Sequence, residues 1–338
     1  MYVPPRPLWR RLVRPLLVAA ALVVVFGWLL PQFIDYDDVW DALGELDGWE
    51  VLALLGLGLA RVPTEAVMYR AFLPGLGLWR GSEAYLSSNF AGQLLPPPSA
   101  SAVQYGYFRG GGYSPELSGL AALGSFVFPT IGRFLLPVVA LVVLLATGEV
   151  SGSVALAGVL SLTVTAVAAG GGYVFLRGER SARRLGAKAQ KPVSWILVKL
   201  ERDALKDGPG KAVELRARAL AVLREGWALG SIGVVANLLL TYLILLASLR
   251  FVGVTSSELS TAEAFAAFAI AFWAGAVFPI TGSGLGVVDA VLIAMLVELG
   301  DASDDALLAA ALLWRVFYSV VALPIGAITL GRFRKANS

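Results

Sequence analysis

The stretch Glu83–Phe108, EAYLSSNFAGQLLPPPSASAVQYGYF, decides how the chain threads a membrane. It is apolar enough to enter hydrocarbon, but Pro96-Pro97-Pro98 interrupts it near the middle. Read as one kinked span, it reverses the side of every later crossing. The segment 177–225, with 13 Lys/Arg against 6 Asp/Glu, then falls outside the cell. Basic loops stay cytoplasmic, so that reading fails. Read as a hairpin that dips in and returns to the cytoplasm at Arg109, it keeps the basic segment and the C-terminal Arg332, Arg334 and Lys335 inside. Length agrees, because Glu83 to Leu95 is 13 residues. That is about 20 Å of helix, short of the roughly 30 Å of hydrocarbon.

The rest of the chain extends this reading. Of 338 residues, 57% are hydrophobic and 15% charged, and the mean hydropathy is +0.74. Soluble domains carry about 25% charged residues, so this chain needs lipid as its solvent. Neither cysteine nor histidine occurs, which removes disulfides, thiolate chemistry and the commonest general base and metal ligand. A net charge of +3 is too small to suggest nucleic acid as a partner. Apolar runs near 15–33, 50–70, 117–147, 150–176, 226–249 and 306–330 give six expected full spans. The first follows Arg6, Arg10, Arg11 and Arg14 and lacks a small-residue cleavage pattern, so it reads as a retained span with a cytoplasmic N-terminus. It exits to a purely acidic segment between Asp35 and Glu50.

A second broken stretch, 262–299, is interrupted at Pro279-Ile280-Thr281-Gly282-Ser283-Gly284, and charge parity has it enter and leave on the outer side. Its arms are marginal in length, so two short spans remain the alternative to a re-entrant hairpin. Arg250 is the one basic residue this topology leaves outside. The expected fold is therefore an all-α polytopic membrane protein. It has about six full spans and two broken re-entrant hairpins arranged as an inverted repeat within a single transmembrane domain, 1–338. The first unit covers about 50–147 and the second about 226–330, with the basic cytoplasmic loop 177–225 between them. Gly92 four residues before Pro96 and Gly275 four before Pro279 give a faint echo between the units. The loop carries Trp195, Ile196 and Leu197 beside Lys191, Lys199 and Arg202, and reads as a basic amphipathic surface segment attracted to anionic lipid.

Inverted repeats with broken helices at mid-membrane are the pattern of secondary transporters, whose site lies where the breaks meet. Backbone freed at the breaks is tolerated only where it faces protein or a wet cavity. Ser99, Ser101, Thr281 and Ser283 supply hydroxyls there, and Gly284 lets backbone approach a ligand, although such glycines also serve packing alone. Ionisable residues within spans cost about 2.5–3.5 kcal/mol each and mark function by default. Here they are Arg61, Glu65, Arg133, Asp289 and Arg315. Arg61 and Glu65 share a helical face and either neutralise one another or serve as secondary site candidates. Arg133 and Arg315 have no acid within four residues, so each must find Asp289, Glu65 or an anionic ligand such as a lipid phosphate. Asp289 either pairs with Arg315 or couples to a proton.

The run Phe278–Ala290, FPITGSGLGVVDA, followed by Leu313-Trp314-Arg315-Val316-Phe317, resembles the signature of the lysylphosphatidylglycerol synthase transmembrane-region family, with Asp289 where that family usually has Glu. The stretch Asn89–Arg109 is similar to its other broken region, although Ala102-Val103-Gln104 stands near where many members have Gly-Glu. The family includes the flippase half of the multiple peptide resistance factor, so the resemblance implies movement of a phospholipid or lipid-linked anion between leaflets. The sequence ends at Ser338 without the soluble aminoacyl-transferase portion, and lipid aminoacylation is not expected of it. The rival readings are a transporter of a small soluble anion and a membrane partner of a lipid-modifying or glycosyl-transferring enzyme. The expected location is the inner (cytoplasmic) membrane, with multiple passes and both termini cytoplasmic. No enzyme activity, cofactor or metal is expected. The implied partners are membrane lipids, above all anionic phospholipid, together with either a second copy of the chain or a separate lipid-modifying enzyme.

Overall fold

The structure is a computed structural model that describes residues 44, 46–94, 99–148, 152–199, 206–278 and 286–336. The described elements are all helices: α1 Gly48–Arg70, α2 Leu78–Leu94, α3 Ser99–Gly110, α4 Pro115–Thr147, α5 Gly152–Arg177, α6 Glu179–Lys199, α7 Gly208–Phe251, α8 Thr261–Val277, α9 Val287–Leu299, α10 Asp304–Arg315 and α11 Ala322–Ala336. A π-helical turn, Val316–Val320, joins α10 to α11. Their boundaries follow local chemistry. Ser114 Oγ accepts from the Leu117 N–H with Pro115 at the first helical position, and Gly148 at φ 78° ends the same helix. The Ser260–Glu263 capping box opens α8.

Among the described residues, five helices are long and apolar enough to cross a bilayer: α1, α4, α5, α7 and the run Asp304–Phe333. Their outward apolar side chains, such as Phe126, Leu145 and Val167, are more than 60% exposed, which only lipid makes tolerable. The chain is thus an all-α multi-pass membrane protein. The expected span at 15–33 and the acidic segment after it lie outside the described residues.

The two broken stretches form helical pairs, α2 with α3 and α8 with α9. Their arms of 17, 12, 17 and 13 residues are about 26, 18, 26 and 20 Å long, all short of hydrocarbon thickness. The breaks themselves, at 95–98 and 279–285, lie outside the described residues. Each pair returns to the end where it began. The Asp301 N–H donates to the Glu258 carbonyl (2.8 Å), joining the loops before α8 and after α9.

The packing crosses between the halves of the chain. Helix α2 packs on α11, α8 packs on α4, and α1 lies along α7. Glycines set the closest approaches: a Cβ on Gly326 would meet the Leu86 carbonyl oxygen at 2.5 Å, and one on Gly233 the Thr64 carbonyl oxygen at 2.8 Å. Bonds between polar side chains add to the first seam, where Ser87 Oγ donates to Thr329 Oγ1 (3.0 Å).

Two features add to the sequence reading. Helix α7 has 44 residues, about 66 Å, roughly twice what hydrocarbon requires. Its first turns pack against α6 through Gly186, Gly208 and Ala212. Much of the basic segment is therefore a helical hairpin continuous with a span, rather than a separate surface element. Glycine contacts that let two backbones meet are hard to see in a charge-rich sequence. Arg250, the outer-side exception, donates to the Val254 and Leu259 carbonyls (2.8 and 2.9 Å). Its charge fastens the loop that follows α7.

Candidate functional site

A cavity of about 340 Å³ opens between α1, α2, α3, α4, α7, α8 and the π turn. Gly92 and Ser99 lie in the described arms on either side of the first break, and Gly275 and Ala276 in the arm that precedes the second, so both broken stretches contribute described residues to the cavity wall. Helix α1 brings Arg61 and Glu65, and α4 brings Arg133. Ser99 and Ser101 also line it. Phe126 is a lining residue that is also 64% exposed, so the cavity reaches the lipid-facing surface beside α4.

The three charged groups differ in how they are held. Arg61 is buried, donates from Nη2 to the Tyr318 carbonyl (2.7 Å), and places its guanidinium 4.5 Å from the Tyr318 ring centre and 5.7 Å from that of Tyr85. This contact depends on the π turn. Pro324 has no N–H to give the Val320 carbonyl, and the Val321 N–H reaches back five residues to Val316. Gly58 completes the approach, since a Cβ there would stand 2.6 Å from the Phe317 carbonyl oxygen. Arg133 lies over Phe272 (5.7 Å) and has no hydrogen bond or ion pair among the described residues. Glu65 feels the charges of both Arg61 and Arg133, yet no ion pair joins it to either among the described residues. The direct Arg61–Glu65 pair that four-residue spacing allows is therefore not formed, because Tyr318 and Tyr85 claim the guanidinium.

Arg315 and Asp289 meet elsewhere. Arg315, 1% exposed, donates from Nε to Asp289 Oδ1, and its Nη2 pairs with the same oxygen. Asp289 Oδ2 accepts from the Gly286 N–H (3.0 Å), capping α9. Neither residue lines the cavity. Of the two alternatives left open for Asp289, pairing with Arg315 is the one the structure adopts. The remaining site candidates, Thr281, Ser283 and Gly284, lie outside the described residues.

Several polar groups in the cavity wall escaped the sequence reading. Gln104 donates to the Tyr69 hydroxyl (3.0 Å) and Ser88 Oγ (3.2 Å) and accepts from Ser125 Oγ (2.6 Å), tying α3 to three neighbours. Gln93 and Ser319 exchange hydrogen bonds of 2.8 and 3.0 Å. Asn237 donates to Thr64 Oγ1 (3.0 Å), and buried Asn89 Nδ2 has no partner among the described residues. The available signal was an amide side chain isolated in an apolar run, as Asn237 is in Val234–Leu240.

Fold and cavity together define a multi-pass helical membrane protein with a net-positive chamber, apolar over most of its wall, between broken helices. The chain belongs to the lysylphosphatidylglycerol synthase TM region family, whose profile matches residues 16–326. No curated protein matches it significantly.

Proposed function

We propose that the protein binds a phospholipid or lipid-linked anion by its headgroup and carries it between the leaflets of the cytoplasmic membrane. The observation that carries this reading is Arg133, a cation without an anionic partner among the described residues, in a cavity that reaches the lipid-facing surface at Phe126. A guanidinium binds phosphate bidentately and more strongly where water is scarce. A chamber of about 340 Å³ suits a headgroup while its acyl chains stay in the bilayer. Family membership supports a lipid-handling role. The exchanged packing of α2 on α11 and α8 on α4 supports an inverted repeat, in which the two hairpins act as alternating gates. We read the protein as a transporter rather than an enzyme. Glu65 is the one carboxylate among the described residues that line the cavity, whereas acid–base chemistry commonly uses a pair. In this reading both termini and the α6–α7 hairpin are cytoplasmic, and the basic hairpin faces anionic lipid.

The test is translocation of headgroup-labelled phosphatidylglycerol in proteoliposomes. Arg133→Ala is expected to lower the rate at least about tenfold, the equivalent of one lost charge-assisted contact, with Arg133→Lys retaining part of it. An unchanged rate in Arg133→Ala would remove this arginine from the site.

A further inference from the structure

The charges in the cavity wall go further than its affinity for anions. Among the described lining residues, Arg61 and Arg133 contribute two positive charges and Glu65 one negative, and the other side chains are neutral. With the carboxylate ionised, the chamber carries one net positive charge. A buried site is most favourable when its occupant brings the sum to zero, because uncompensated charge in low dielectric is costly. We propose that Glu65 sets substrate charge: with Glu65 ionised the cavity accepts a headgroup bearing a single negative charge, as a phosphodiester does, and it admits a dianion only when Glu65 takes up a proton. The inference rests on the headgroup-binding reading above and names its substrate class.

The surroundings of Glu65 suit this role. Its own helix presents Arg61 and Tyr69, α2 presents Tyr85, α4 presents Arg133, and the π turn presents Tyr318 beside Arg61. Helix α7 contributes Val234, Asn237 and Leu238, and α8 contributes Phe272, none of them titratable near neutral pH. Among the described residues Glu65 is thus the only acid lining the chamber, and it is the only described lining side chain that can take up a proton near neutral pH. The arginines cannot trade away their charge. Arg61 is held by the Tyr318 carbonyl, while Arg133 is free among the described residues to serve either Glu65 or a ligand.

The experiment compares binding of dihexanoyl phosphatidylglycerol, a monoanion, with dihexanoyl phosphatidic acid, a phosphomonoester that is mostly dianionic at pH 8 because its second pKa lies near 6. Calorimetry on the full chain in detergent, in buffers of different ionisation enthalpy, reads affinity and proton uptake together. The wild type is expected to prefer the monoanion about tenfold or more at pH 8 and to take up a proton with the dianion. Glu65→Gln should reverse or abolish that preference and lose the proton uptake, while Glu65→Asp keeps the wild-type pattern. Thermal melts confirm that each variant is folded. If Glu65→Gln binds both lipids in the wild-type ratio, or still takes up the proton, the role of Glu65 is overturned while headgroup binding stands. Binding of neither lipid by the wild type overturns both. Equal binding of glycerophosphoglycerol, a soluble phosphodiester monoanion, and phosphatidylglycerol assigns the site to a soluble anion and overturns the lipid reading, leaving the charge rule to stand on the Glu65→Gln comparison.

Discussion

Arg133 and Arg315 look alike in sequence, each a lone arginine in an apolar helix, and the structure gives them different partners. Arg315 has Asp289, and the pair is asymmetric: the side chain of Arg315 is 2% exposed and that of Asp289 20%. Removing one partner of a buried pair costs about 3–5 kcal/mol, chiefly because the other charge is left unpaired. Asp289→Asn strands the more deeply buried charge and also weakens the cap on Gly286, so it should lower thermal stability in detergent more than Arg315→Met does. The double variant should recover much of the loss. Additive losses in that double-mutant cycle would show that the two side chains do not stabilise one another. At the cavity, Arg133→Ala should instead cost headgroup transport with little change in stability, since it removes no ion pair among the described residues.

The helices carry their own information through the places where they approach one another. In α1, Gly56 and Gly58 are two residues apart, yet nothing lies within 4 Å of a Cβ at Gly56, while one at Gly58 meets the Phe317 carbonyl oxygen at 2.6 Å. Gly56→Ala should be neutral or stabilising by up to about 1 kcal/mol, as helix propensity suggests. Gly58→Ala should cost about 1–3 kcal/mol by overpacking and should shift the π turn that presents the Tyr318 carbonyl to Arg61. Thermal melts of the two variants decide this, and equal melting temperatures would mean that α1 does not seat on the π turn. A turn closed by a five-residue hydrogen bond often marks a functional position, and here it turns a backbone oxygen toward a buried guanidinium.

For the whole molecule, the absence of cysteine makes topology directly measurable. Single cysteines at Ser257 and Asp301 should react with a membrane-impermeant maleimide from outside intact cells, and those at Arg80 and Lys206 only after permeabilisation. Labelling of Ser257→Cys and Asp301→Cys from opposite sides would contradict the return of α9 to the end where α8 begins. The same pattern tests the placement of the α6–α7 hairpin in the cytoplasm, because Lys206 precedes α7.

Charge parity and apolar run length suffice for the broad architecture, because the positive-inside bias and the thickness of hydrocarbon act on the chain as a one-dimensional string. They place α1, α4, α5 and the Asp304–Phe333 run within a few residues of the observed helices, and they identify both broken pairs. The same string shows that Arg61, Glu65, Arg133, Asp289 and Arg315 are costly and need partners. Which partner each takes depends on distance in space. Arg61 finds a carbonyl 257 residues away, Arg315 an acid 26 residues away, and Gln93 a hydroxyl 226 residues away. Only the tertiary packing of α1 and α2 against the π turn and of α9 against α10 brings these groups together. It leaves Arg133 facing a cavity and Arg315 sealed against Asp289, because electrostatic pairing in a low-dielectric interior is settled over a few ångströms that sequence separation does not encode.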